Sequence, residues 1–268
     1  MTTTAIPGPR RSPLAIYNLI DTTRSASPLL WRSAIVMLAA AALLAGLTLI
    51  DAHEINGANV WDKPAKFFLA VAVQFLTVGW AMSFLPAVDK GVRVAVRTLV
   101  IYGFAENIYI TGRAAAGLTS HFNYQTPFSS AAYALMGLGA LLMTATSFYV
   151  GLKVWRNAGH SLWSDAAAIG LMLGGVLGTV AGVYMSAQTS HWVGGTASDA
   201  NGLGFFGWST TGGDLRVAHF VGLHVSQFVP LAALSGKRRV VYAVAGIAVL
   251  VTVLVFVQAM MGIPLFQA

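Results

Sequence analysis

The sequence predicts an all-α integral membrane protein, a bundle of seven transmembrane helices, and three observations carry that prediction. Of 268 residues, 56% are hydrophobic and only 9% are charged, whereas a soluble domain carries roughly 25% charged residues. The apolar residues fall into runs of about 20, the length that crosses a ~30 Å hydrocarbon core as a helix. Mean hydropathy is +0.70. Together these exclude a soluble enzyme, a disordered chain and the weak alternating pattern of a β-barrel. Cysteine is absent, which removes disulfides, thiolate-held clusters and thiol catalysis.

Residues 1–32 form a tail without an apolar stretch leading to a small-residue cleavage site, so no cleaved signal is expected. Leu14, Ile16, Tyr17, Leu19 and Ile20, beside Arg10, Arg11 and Arg24, fit a short interfacial helix; a solvated tail fits as well. Residues 33–268 form the membrane domain. Its seven apolar segments lie at 33–50, 65–85, 92–115, 129–152, 166–188, 215–234 and 240–262.

Seven crossings place the termini on opposite sides. With a cytoplasmic amino terminus, twelve basic residues face the cytoplasm: Arg10, Arg11, Arg24, Arg32, Lys90, Arg93, Arg97, Lys153, Arg156, Lys237, Arg238 and Arg239. Four, Lys63, Lys66, Arg113 and Arg216, lie outside with the carboxyl terminus. That bias is the positive-inside signature of an inner-membrane protein, and it accounts for a net charge of +7 without a nucleic-acid partner.

The fifth segment carries Gly170, Gly174, Gly178, Gly182 and Ser186 at four-residue spacing, a small-residue face that suits close helix packing or a slot for a flat cofactor. The loop from Trp192 to Gly213 holds seven glycines with Phe205, Phe206 and Trp208, the composition of a lid, a plug or an aromatic interfacial anchor. Thr119-Ser120-His121 after the third segment echoes Thr189-Ser190-His191 after the fifth, and a parallel repeat would set both histidines at one depth.

Five of six histidines, His53, His121, His191, His219 and His224, sort to the outer side, with His160 inside. His219 and His224 are five apart and project about 140° from each other on a helix, so they do not form a one-face chelate. Arg216, His224 and Gln227 share a sector. The third segment lines up Tyr102, Glu106, Tyr109 and Arg113, and the fifth lines up Tyr184, Gln188 and His191. Counted from the outer helix ends, Gln74, Glu106 and His224 lie on the order of 14 Å deep and His219 about 6 Å. An ionisable residue inside a span costs a few kcal/mol and marks a functional site by default, which singles out Glu106 as the candidate catalytic residue.

Three chemistries use this set. In the first, His219 or His224 opposes His121 or His191 as axial ligands of a haem b, with Arg113, Arg216 or Lys66 pairing with propionates and Tyr184, Gln188 and Gln227 lining the site. In the second, these histidines and Glu106 hold iron, copper or zinc, a donor set that also suits a membrane metallohydrolase. In the third, Glu106, Gln74 and the histidines line the path of a proton-coupled transporter. The first two lead to electron transfer or oxidation in the bilayer, with a quinone or a small apolar substrate as partner. Helix-to-helix hydrogen bonding is the structural alternative for each histidine.

The stretches Asn59-Val60-Trp61-Asp62-Lys63-Pro64-Ala65-Lys66-Phe67, Ser120-His121-Phe122-Asn123 and His219-Phe220-Val221-Gly222-Leu223-His224 resemble phrases of uncharacterised bacterial multi-pass membrane proteins. The resemblance implies the membrane fold over most of the chain and carries no activity.

Overall fold

Side-chain oxygens and prolines at the start of each apolar run decide where the helices begin. In a computed structural model, described for residues 16–200 and 202–267, eight α-helices follow one another: α1 Ile16–Ala26, α2 Pro28–Leu47, α3 Asp62–Met82, α4 Lys90–Ala115, α5 Pro127–Asn157, α6 Leu162–Ser186, α7 Leu215–Leu231 and α8 Arg238–Met260. Ser27, Asp89, Thr126, Ser161 and Asp214 each accept a first-turn backbone N–H of α2, α4, α5, α6 and α7, the role of an N-cap residue. Pro28 and Pro127 occupy first positions where no N–H is needed. Two-residue β-ladders at 54–59 and 192–214 brace the two longer loops at one end of the bundle.

Each apolar segment read from the sequence is a helix, but six helices, not seven, are long and apolar enough to span a membrane among the described residues: Pro28–Leu47, Asp62–Met82, Pro127–Asn157, Leu162–Ser186, Leu215–Ser235 and Arg238–Met260. The expected third crossing, 92–115, is α4. Its 26 residues are long enough, yet Arg97, Glu106, Asn107 and Arg113 make it too polar to stand with the others. Those six helices make this a multi-pass membrane protein in contact with a lipid bilayer. The tail through residue 15, including Leu14, Arg10 and Arg11, lies outside the described residues. Helix begins within the expected tail, because α1 starts at Ile16 and α2 at Pro28.

Successive helices from α2 onward run antiparallel. Asp89 at the start of α4 pairs with Lys153 near the end of α5 at 2.6 Å, and Arg238 at the start of α8 pairs with Asp165 at the start of α6. The glycine face of α6 is filled by α7. A Cβ on Gly174 would lie 3.0 Å from the Leu223 carbonyl oxygen, one on Gly170 would lie 2.8 Å from Pro230, and one on Gly182 would lie 2.8 Å from the His219 ring. Close helix packing, rather than a slot for a flat cofactor, is what these glycines provide. A second apolar core holds α2, α3, α4, α5 and α6 together around Met37, Phe75, Leu99, Val150 and Leu171, all fully buried.

Candidate functional site at the histidine cluster

The site forms where the carboxyl end of α4, the start of α3, the start of α7 and two loops converge. α4 stops at Gly117, whose φ of +67° lets Leu118 N–H return to the Arg113 carbonyl at 2.9 Å, a glycine C-terminal turn. Arg113 Nε then donates to the Thr119 carbonyl at 3.1 Å. Phe122, also at positive φ, completes the reversal. This fold-back carries His121 down beside α4, with its Nε2 4.0 Å from Glu106 Oε1. Glu106 has only 9% of its side chain exposed, and its Oε2 is buried without a hydrogen-bond partner.

Around this pair stand Lys63, within electrostatic reach of Glu106, Asp199, Lys66 and Arg216, and the rings of Phe67 and Tyr133, whose centroids lie 5.5 and 5.9 Å from that of His121. Burial pushes the His121 imidazole well below its ordinary pKa, and the neighbouring Lys63, His191 and His219 push the same way. At neutral pH the ring is uncharged and offers a lone pair.

The second loop adds an acid-base latch. His191 Nδ1 sits 3.5 Å from Asp214 Oδ1, and Asp214 receives Arg216 Nε at 2.9 Å and Arg216 NH2 at 2.7 Å. Arg216 NH2 also reaches Asp199 at 2.9 Å and the Gly207 carbonyl at 2.8 Å. Burial would raise the Asp214 carboxyl, but the contacts of His191 and Arg216 outweigh it and hold the group well below the usual carboxylate range. Burial lowers His191, and Asp214 only partly offsets this. The glycine-rich loop thus lies pinned over the bundle, with Phe206 stacked on Trp208 at 4.3 Å and Lys66 Nζ 5.8 Å from the Phe205 ring.

Deeper, a polar chain crosses from α7 to α3 and α5. His224 Nδ1 meets Gln227 Oε1 at 3.1 Å. Gln227 Nε2 donates to Thr77 at 2.9 Å and to Gln74 Oε1 at 3.4 Å. Gln74 Nε2 donates to Ser147 at 2.6 Å. His219 Nδ1 meets the Gly178 carbonyl at 2.9 Å.

The structure therefore brings Glu106, His121, His191, His219, Lys66 and Arg216 to one end, with His224 and Gln227 below them. Arg113 holds the loop rather than facing the cluster. Tyr184 packs on Phe256 of α8 with ring centroids 5.0 Å apart, and Gln188 is exposed past the end of α6. Among the described residues no three acidic or histidine side chains converge as a metal-binding group. Sequence reasoning missed Lys63, Asp199 and Asp214 as site residues. Asp214 had a signal, as an acidic residue immediately before an apolar run is an N-cap pattern; Asp199 had none.

Comparison with protein-family models, with curated proteins and with solved structures finds no match.

Proposed function

We propose that this is a proton-coupled transporter of the bacterial inner membrane, in which Glu106 and His121 take up and release the coupling proton at the outer end of the bundle. The observation that carries the reading is the Glu106 carboxyl: buried, 4.0 Å from a neutral imidazole, with one oxygen unpartnered. A carboxyl retained at membrane depth is costly unless it works or is paired, and here Oε2 is buried without a hydrogen-bond partner while Oε1 lies 4.0 Å from the imidazole, too far for a hydrogen bond. The Gln227, Gln74 and Thr77 chain continues polar groups inward from the histidines, as a solute or ion path requires. The test is reconstitution into liposomes loaded with a pH-sensitive dye. An imposed gradient should move protons through the wild type in the presence of the solute and not through Glu106→Gln.

The orientation belongs to the same proposal: amino terminus cytoplasmic, carboxyl terminus extracytoplasmic, α4 as the seventh crossing. Two features support it beside the basic bias. α4 runs the length of the bundle antiparallel to α3 and α5, and it turns Val94, Ile101 and Ile108 outward at seven-residue spacing while burying Val92, Val96, Leu99 and Gly103. A polar helix whose Glu106 and Asn107 are sheltered by its neighbours, and whose outward face carries Val94, Ile101 and Ile108, crosses a bilayer with its exposed charges, Lys90, Arg93 and Arg97, gathered at its start.

Electron transfer or oxidation with a haem b, or with iron, copper or zinc, and with a quinone or small apolar substrate, is the second reading. One observation favours it: the Gly178 carbonyl engages His219 Nδ1, the outer contact that commonly orients a metal-bound imidazole and leaves Nε2 as the ligand. The glycine face filled by α7 weighs against a haem there. An absorption spectrum and metal analysis of the purified protein separate the two readings.

A further inference from the structure

A charged cavity lies at the corner between α1 and α2, independent of the proton reading. The corner is rigidly placed. Ser27 N–H returns to the Thr23 carbonyl at 3.0 Å and Trp31 N–H to the Ser27 carbonyl at 3.0 Å, while Thr23 and Leu30 are buried against Gly79 of α3. On the opposite, outward side, Arg24, Ser25, Pro28, Trp31 and Arg32 line an open cavity of about 350 Å³, at the lower end of ligand-pocket sizes.

The two guanidiniums set its chemistry. Arg216 and Arg238 are each neutralised by buried aspartates, whereas neither Arg24 nor Arg32 has a carboxylate within 4.0 Å among the described residues. Asp21, one turn before Arg24, makes no such pair either. Arginine offers a planar fork matched to phosphate oxygens. The site also sits where the first spanning helix leaves the bilayer, because α2 starts at Pro28 and its 20 residues cover about 30 Å. That is headgroup depth, and a Trp beside the two cations is the side chain that settles at such an interface.

We propose that this corner binds the phosphate of an anionic lipid headgroup, held by Arg24 and Arg32 with the Trp31 indole against its glycerol backbone. A zwitterionic headgroup presents the same phosphate with a cation attached, which the arginine pair repels, so the site discriminates by net charge. A free phosphate shares the chemistry and is the competing source.

The experiment uses the full chain in detergent and reads lipid binding by native mass spectrometry with phosphatidylglycerol, phosphatidylcholine or inorganic phosphate. Phosphatidylglycerol should bind more tightly than phosphatidylcholine. Each basic side chain near a charged surface is worth roughly fivefold in binding, so the double variant Arg24→Gln, Arg32→Gln should weaken phosphatidylglycerol by more than about tenfold. Arg156→Gln, which removes the same charge at the end of α5 away from the cavity, should leave it unchanged. Both cavity arginines are exposed, so the double variant should keep the wild-type thermal midpoint. Equal binding of the two lipids, wild-type binding by the double variant, or an equal loss in Arg156→Gln overturns the site. Displacement of phosphatidylglycerol by inorganic phosphate at equal concentration overturns the lipid assignment in favour of free phosphate.

Discussion

Glu106 on α4 and His121 in the loop beyond it approach to 4.0 Å because the chain reverses at Gly117 and Phe122 and lays the loop back along the helix it has just left. The pair is thus a product of local chain geometry, and Lys63 on α3, with His191 and His219 from two further segments, lies within electrostatic reach of it. A carboxyl and an imidazole arranged this way share protons more readily than either does alone, since the charge gained by one is compensated by the other.

Glu106→Gln keeps the shape and one carbonyl acceptor but cannot ionise. Proton movement should fall to background, while thermal stability in detergent should change by no more than about 1 kcal/mol, the net worth of an ordinary hydrogen bond. The same variant should remove one pH-dependent carboxyl band from the infrared difference spectrum. Wild-type proton movement in this variant would leave Glu106 as helix-to-helix glue.

Gly174→Val tests the α6 to α7 contact. The new side chain would meet backbone, the Leu223 carbonyl and Ser226 nitrogen at 3.0 Å, and backbone does not step aside as a flexible side chain does. Overpacking of this kind costs about 1–3 kcal/mol, and the displaced α7 should also disturb the His219 contact with Gly178. Gly137→Ala on α5, where nothing lies within 4 Å, should be neutral or gain up to about 1 kcal/mol from helix propensity. Thermal unfolding of both variants in one detergent makes the comparison.

The helices were legible because each crossing must be written as an uninterrupted apolar run, and the small-residue face of α6 was legible because its spacing is periodic. The number of apolar spans was overcounted at α4 for a physical reason. Neighbouring helices shelter Glu106 and Asn107, so this helix sits in the bundle with a polarity that a lipid-exposed helix of its length could not carry. At the site, the clustering of histidines on one side followed from counting helices. Their individual partners did not, because those depend on the turn at Gly117, on the fold of the 192–213 loop and on Asp199 and Asp214, which the turns of that loop, not any helical period, bring to Arg216.

Acid should destabilise the histidine end of the bundle in two stages. His121 and His191 are both lowered from 6.5 in the folded protein, so below that value the unfolded chain takes up protons that the folded one refuses. Stability therefore falls as pH drops from about 6.5 toward the folded values. Asp214 is lowered from 3.8, so the stability it contributes is present above that value and is lost as pH falls below it. Thermal midpoints measured from pH 8 to pH 2 should decline in both stages, and His191→Gln should flatten part of the first stage. A midpoint constant across that range would show that these groups titrate alike in both states.

The orientation makes the last prediction. Asp89 meets Lys153 at one end of the bundle and Glu106 meets His121 toward the other, so α4 runs along it beside the six apolar spans, and the proposed orientation counts it as a seventh crossing. The basic residues at 237–239 then fall on the same side as Lys90, Arg93 and Lys153, as the positive-inside bias demands. A reporter fused after Arg239 should be active only in the cytoplasm, and one fused after the carboxyl-terminal Ala268 only outside it. If both fusions report the same side, α8 does not cross; if the two are reversed, the Glu106 and His121 site opens to the cytoplasm, and the direction of proton uptake in the liposome assay must reverse with it.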